Sequence, residues 1–140
     1  MTATRVFSPS KIEKRWTARL ALPFCGVSSY FLANYHRLAA APGQPGLNST
    51  EAVLIIQLHD FKWDDRHPFP TVGTLAARLG VTPRHVRDTM KALQERGYLL
   101  RIPGARGGAN RYDLGGLYQA LEALMDADVD AEKGGRHVAA

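Results

Sequence analysis

The side chains best able to do chemistry in this 140-residue sequence are cations gathered on one short stretch, Arg84, Arg87 and Lys91, with His85 and Asp88 between them. A helix turning about 100° per residue, with Val86, Met90 and Leu93 inward, brings Arg84, Arg87, Asp88, Lys91 and Glu95 to its outer side. A guanidinium can give two hydrogen bonds to O6 and N7 of a guanine, and a lysine can do so or hold a phosphate. A face of this kind on an unplaced helix is usually just solvated; as the second helix of a helix-turn-helix it would have Arg84 and Arg87 as its best base readers. Asp88, one turn after Arg84, can accept from a cytosine amino group or hold the Arg84 guanidinium in place. His85, on the flank, can meet a base or a phosphate. Glu95 is expected to stay in solvent.

A second group of cations follows, with Arg106 inside the glycine-rich run PGARGGAN and Arg101 and Arg111 on either side. Glycines there allow the backbone to come close to a phosphate, or simply make the turn. Thr71 and Thr82 stand where helix caps belong. Their hydroxyls and the helix-end N–H groups can also hold phosphates, although capping alone would account for both.

Other constellations lead nowhere. His59, Asp60, Asp64, Asp65 and His67 crowd together, but His59 and Asp60 diverge by about 100° on a helix. Nothing downstream completes a ligand set, so a polar loop is the better reading. No serine stands in a nucleophile elbow, and GARGGA belongs to a hairpin rather than to a strand-to-helix phosphate loop. The lone Cys25 excludes an internal disulfide and a cysteine-pair zinc site, and its apolar neighbours suggest an inert thiol. No catalysis, metal or cofactor is expected, and no small-molecule pocket can be inferred.

Charge points the same way as the cation clusters. The 18 Lys and Arg outweigh 13 Asp and Glu, for a net +5, which favours a polyanionic partner. The excess is uneven: residues 78–111 hold eight basic and two acidic residues, whereas residues 112–140 hold two basic and six acidic. No run approaches the roughly 18 apolar residues of a membrane span, and the first residues lack the apolar stretch of a secretion signal. A cytoplasmic location is the expectation.

The elements that must position these groups follow from periodicity. Residues 1–25 form an arm, with KIEKRWTARLAL as a possible basic helix on the Trp16–Leu20 spacing. After Gly26, Ser28 or Ser29 caps a helix with Val27, Phe31, Tyr35 and Leu38 on one face, ended by APGQPG. Asn48 or Ser49 opens a central helix whose Val53, Leu54, Ile55, Ile56, Leu58, Phe61 and Trp63 leave it apolar almost all round. Thr71 caps a short helix on Val72, Leu75, Ala76 and Leu79, stopped by Gly80. Thr82 and Pro83 then open the cationic helix, which ends at Gly97.

Two short helices joined by Gly80-Val81-Thr82 make a helix-turn-helix over residues 71–96. Tyr98–Ile102, the PGARGGAN turn and Arg111–Leu114 make a hairpin over residues 98–114. Residues 115–125 form a final amphipathic helix. The domain runs over residues 26–125, and residues 126–140 read as a mobile acidic tail. The fold class is mainly α with a small β-hairpin and extra helices at both ends. Leu117, Tyr118, Leu121, Leu124 and Met125 offer more apolar surface than a small domain need cover. Pairing of two copies through them, or through the helix holding Tyr30, Phe31 and Tyr35, competes with simple closure of the core. Paired copies would meet half-sites about 34 Å apart on a palindrome.

The run from Thr71 to Leu114, PTVGTLAARLGVTPRHVRDTMKALQERGYLLRIPGARGGANRYDL with its preceding proline, resembles the winged helix-turn-helix of GntR-type and MarR-like transcription regulators. The matching elements are Leu75-Ala76, Leu79-Gly80-Val81-Thr82, Val86, Leu93 and Gly97-Tyr98-Leu99. The preceding LNSTEAVLIIQLHDFKWDDRHPFP is similar to the helix-turn-helix domains of plasmid and phage replication initiators and DnaD-like primosome proteins. The resemblance implies double-stranded DNA as partner, with the second helix in the major groove and the wing on the minor groove or backbone. It implies a transcription regulator, or a replication-initiation or plasmid-maintenance protein, acting by occupancy of its site. A protein-interaction scaffold without DNA binding is the alternative of another class.

Overall fold

A computed structural model describes residues 14–39, 43–62 and 64–135. Five α-helices and a hairpin are ordered along the described chain: α1 (Ser29–Asn34), α2 (Ser49–Asp60), α3 (Val72–Leu79), α4 (Pro83–Glu95), β1 (Leu100–Ile102), β2 (Arg111–Asp113) and α5 (Gly115–Gly135). This is the mainly helical winged helix-turn-helix expected from the periodicity.

Each start has a chemical cause. Ser28 accepts from the Phe31 N–H, so Ser28 rather than Ser29 caps α1. At α2, Asn48 accepts from the Glu51 N–H while the Glu51 carboxylate accepts from the Asn48 N–H, a reciprocal box. That pairing satisfies the otherwise buried Glu51. Thr71 and Thr82 cap α3 and α4, accepting from Thr74 and His85 N–H groups. Gly80 ends α3 at φ 68°, a left-handed conformation that costs an L side chain about 1–2 kcal/mol. It turns the chain so that α4 crosses α3 at once.

The core is built on Leu54, Ile55 and Leu58 of α2, Leu75 and Ala76 of α3, and Val86, Met90 and Leu93 of α4. Val53 is an exposed exception to the all-round burial expected for α2. Phe31 and Leu38 close one side. In the antiparallel hairpin Arg101 pairs with Tyr112, and the Tyr112 N–H donates to Pro68 O at 3.0 Å. One hydrogen bond thus ties the loop before α3 to β2. Gly116 packs against the turn after α4, where an added Cβ would lie 1.9 Å from Gly97 O.

Three expectations need correction. The basic helix does not extend through the described part of the arm: the chain is helical at residues 14 and 15, then runs in turns and bends, with Trp16 and Leu20 exposed. The Leu20 N–H bonds back to Thr17, whose hydroxyl and carbonyl offer a local turn in place of helix. Residues 1–13, residues 40–42 with the start of the APGQPG turn, Trp63 and residues 136–140 lie outside the described residues.

The last helix does not stop at residue 125 but reaches Gly135. Asp128, in the stretch read as tail, accepts two hydrogen bonds from Arg37 at 2.6 and 3.0 Å and one from the Tyr30 hydroxyl at 2.6 Å. This clamp fixes α5 to α1. Leu117, expected at an interface between copies, is fully buried in the core because α5 closes the domain of its own chain. Tyr118, Leu121 and Leu124 are half-buried against that core, and Met125 alone of the five is exposed, at 45%.

The Arg37 guanidinium, and then the Tyr30 hydroxyl, hold the Asp128 carboxyl down at about 2. An unfolded Asp titrates near about 3.9, so the clamp stabilises the fold above that pH and its contribution is lost as pH falls toward 2. Asp128→Asn is expected to lower the denaturation midpoint at neutral pH, the gap to wild type closing between about pH 4 and pH 2. Urea titrations of both proteins across this range measure it.

Candidate nucleic-acid interface

The inner face of α4 is buried through Val86, Thr89, Met90 and Leu93, which fixes the orientation of the outer one. Thr89 also returns its hydroxyl to His85 O at 2.8 Å. Arg84, His85, Arg87, Asp88 and Lys91 are all exposed on the opposite side. Pro83 at the first turn leaves no lost hydrogen bond, because that N–H has no helical partner anyway.

Several cations outside the candidate face are already engaged. Arg37 is held by Asp128, Arg66 by Asp64, and Arg78 by Asp60 with its guanidinium 4.4 Å above the Phe61 ring. Arg96 reaches the carbonyls of Leu38 and Pro45, and Lys62 those of Asp64 and Arg66. None of the ion pairs among the described residues involves α4. Arg84, Arg87, Lys91 and Arg106 make no hydrogen bond or ion pair there. Asp88 therefore does not hold Arg84.

At the hairpin tip a single 3-10 turn spans Ala105–Gly107, and Arg106 sits within it at φ 51° and ψ 41°. A non-glycine residue in that region is strained, and such outliers concentrate where a side chain has work to do. Arg111 on β2 lies 6.0 Å from the ring of Phe69, which is 59% exposed beside it. Thr71 donates to the Thr74 hydroxyl at 3.0 Å as well as capping, so the start of α3 shows two hydroxyls to solvent next to the wing. The Thr82 hydroxyl accepts from His85 N–H and keeps its own proton for an outside acceptor.

Thr71, Thr82, Arg84, His85, Arg87, Asp88, Lys91, Arg106 and Arg111 are thus all exposed, on α3, α4 and the wing. Phe69 and Thr74 were not singled out from the sequence; only their nearness to Thr71 could have suggested them. Arg78 and Arg96 count in the basic segment but are already engaged. Elsewhere, His59 turns inward, its Nδ1 2.8 Å from Ile55 O and its Nε2 2.9 Å from the Tyr118 hydroxyl. Burial pushes its pKa below the ordinary histidine value. Among the described residues no group of three or more His, Cys, Asp or Glu is arranged to hold a metal, and no helix is long and apolar enough to cross a membrane. Cys25 is half-buried, with its pKa raised by burial and then by Asp60.

Architecture and site define a winged helix-turn-helix protein. Residues 46–99, from the approach to α2 through the end of α4, match the model of a family described as a helix-turn-helix domain. The crystal structure of the N-terminal domain of DnaD protein from Geobacillus kaustophilus HTA426 shares the fold, with a TM-score of 0.59 and 23% identity over 88% of this chain and 96% of that one. No curated protein matches the chain in sequence. Together these findings support a DNA-binding helix-turn-helix protein.

Proposed function

We propose that the protein is a sequence-specific transcription regulator that binds double-stranded DNA and acts in the cytoplasm by occupying its site. In this reading α4 lies in the major groove with Arg84, Arg87 and Lys91 at base edges and His85 and Asp88 on its flanks. Arg106 and Arg111 of the wing, with Thr71 and Thr82 at the helix starts, hold phosphates and set position. Its action is occupancy, without a chemical step. The observation that carries it is that Arg84, Arg87 and Lys91 share one exposed face of α4, held outward by the buried Val86, Met90 and Leu93 on the other.

Fluorescence anisotropy on a random duplex tests this. The logarithm of the binding constant should fall by about 0.9 per neutralised phosphate for each decade of salt. Arg106→Ala/Arg111→Ala should shallow that slope by about 1.8 while leaving the melt unchanged. Absent or salt-indifferent binding would favour a protein-interaction scaffold.

Occupancy of a replication origin, or a plasmid-maintenance role, is the second reading. It is favoured by the extent of the likeness to the DnaD domain, which takes in 88% of the chain rather than the helix-turn-helix alone. Selecting bound sites from a random library separates the two, by whether the sites fall at promoters or at an origin. Pairing of two copies belongs to either reading, with Met125 and Val129 of α5 and Leu32 of α1 exposed on the two helices that could serve it. Light scattering that gives a 15.4 kDa particle counts against pairing.

A further inference from the structure

Away from α4 and the wing, a cavity of about 260 Å³ opens between α1, α2 and α5. Phe31, Ile56, Leu117 and Leu121 supply apolar walls. The Tyr30–Asp128–Arg37 clamp joins α1 to α5 beside it. The polar part of the lining has a defined sense. Ile55 O can only accept, so His59 Nδ1 carries the ring hydrogen, and Nε2 accepts from the Tyr118 hydroxyl. The Tyr118 oxygen is left with acceptor capacity for an outside donor. Among the described residues Glu122 is the one charged group that lines the space, and no arginine or lysine does.

We propose that this cavity binds a small neutral or cationic aromatic molecule that carries an N–H or O–H donor, its ring between α1, α2 and α5 and its donor on Tyr118 Oη. The size follows from comparison: an apolar cavity of about 150 Å³ takes up benzene, so this one suits a molecule of about ten non-hydrogen atoms. A helix, about 10 Å across with its side chains, is too wide. An anion would meet Glu122 and find no countercharge. The site lies on other elements than the DNA-binding face, so its test is independent of duplex binding.

Indole, its isostere benzofuran, which lacks the donor, and indole-5-carboxylate, an anion, are the probes. Each is titrated into the full-length ¹⁵N-labelled protein and followed by amide chemical shifts. Indole is expected to saturate shifts at Leu117, Tyr118 and Leu121 in the millimolar range, as small ligands of this size do. One additional neutral hydrogen bond makes it about fivefold tighter than benzofuran. The carboxylate should leave these amides unmoved. Leu121→Trp, which fills the space, should abolish the indole shifts, and Ile56→Phe serves the same end should the tryptophan unfold the domain. Equal binding of all three probes, shifts spread over the surface, no saturation in the millimolar range, or indole shifts that survive in a folded, filled variant would overturn the proposal.

Discussion

Replacing Arg84 and Arg87 together by alanine is expected to lower affinity for a selected duplex by about two orders of magnitude or more. A well-placed arginine on a base edge contributes about 1–3 kcal/mol of discrimination, and about 1.4 kcal/mol is a factor of ten. Both side chains are exposed on α4 and, among the described residues, form no ion pair. The melting curve should therefore stay where it is while binding falls. Affinity for a mismatched duplex should fall less, since it rests on phosphate contacts alone. Lys91→Ala, if that residue holds a phosphate, should weaken both duplexes alike and shallow the salt dependence by about 0.9. Anisotropy on matched and mismatched duplexes separates the two behaviours. A double variant within threefold of wild type on the selected site would remove α4 from the groove.

Leu93→Ala should have its effect on the fold instead. Leu93 is 0% exposed on the inner side of the same helix. Truncating such a leucine removes buried surface and leaves a cavity, at a cost of about 2–5 kcal/mol. A domain of this kind has about 5–15 kcal/mol in all, so the midpoint of thermal unfolding should drop by roughly 10 °C. Well below that midpoint the variant should still bind the duplex, because the outer face of α4 is unchanged. Circular dichroism melts read the first effect and low-temperature anisotropy the second. A shift of a degree or two would mean that α4 is not packed as described.

The helix-turn-helix was legible because its signals are local. The Gly80 stop, the Thr82 cap, Pro83 at the first turn and the spacing of Val86, Met90 and Leu93 each act within a few residues of where they stand. The same locality explains why the exposed face of α4 could be read without coordinates. What could not be read depends on distant partners. Residues 126–135 are polar, and the clamp that ties this stretch down uses Arg37 and Tyr30, 91 and 98 residues away in sequence.

A stripe of leucines says that α5 has an apolar side, but not whether the same chain or another one covers it. Leu117 turned out to face its own core. The opposite failure occurred in the arm, where the Trp16–Leu20 spacing met no surface to bury against. The tie from Pro68 to the wing had no side-chain signal at all, since it is made by a carbonyl. Arg78 adds to the basic count of residues 78–111, but Asp60 and Phe61, both distant in sequence, engage it.

Gly116 touches the carbonyl of Gly97 with no room for a single methyl between them. The exit of α4 and the entry of α5 consequently meet backbone to backbone. A clash with a side chain can be relieved by a change of rotamer, but a carbonyl cannot step aside in that way, so any side chain at position 116 has to push the two segments apart.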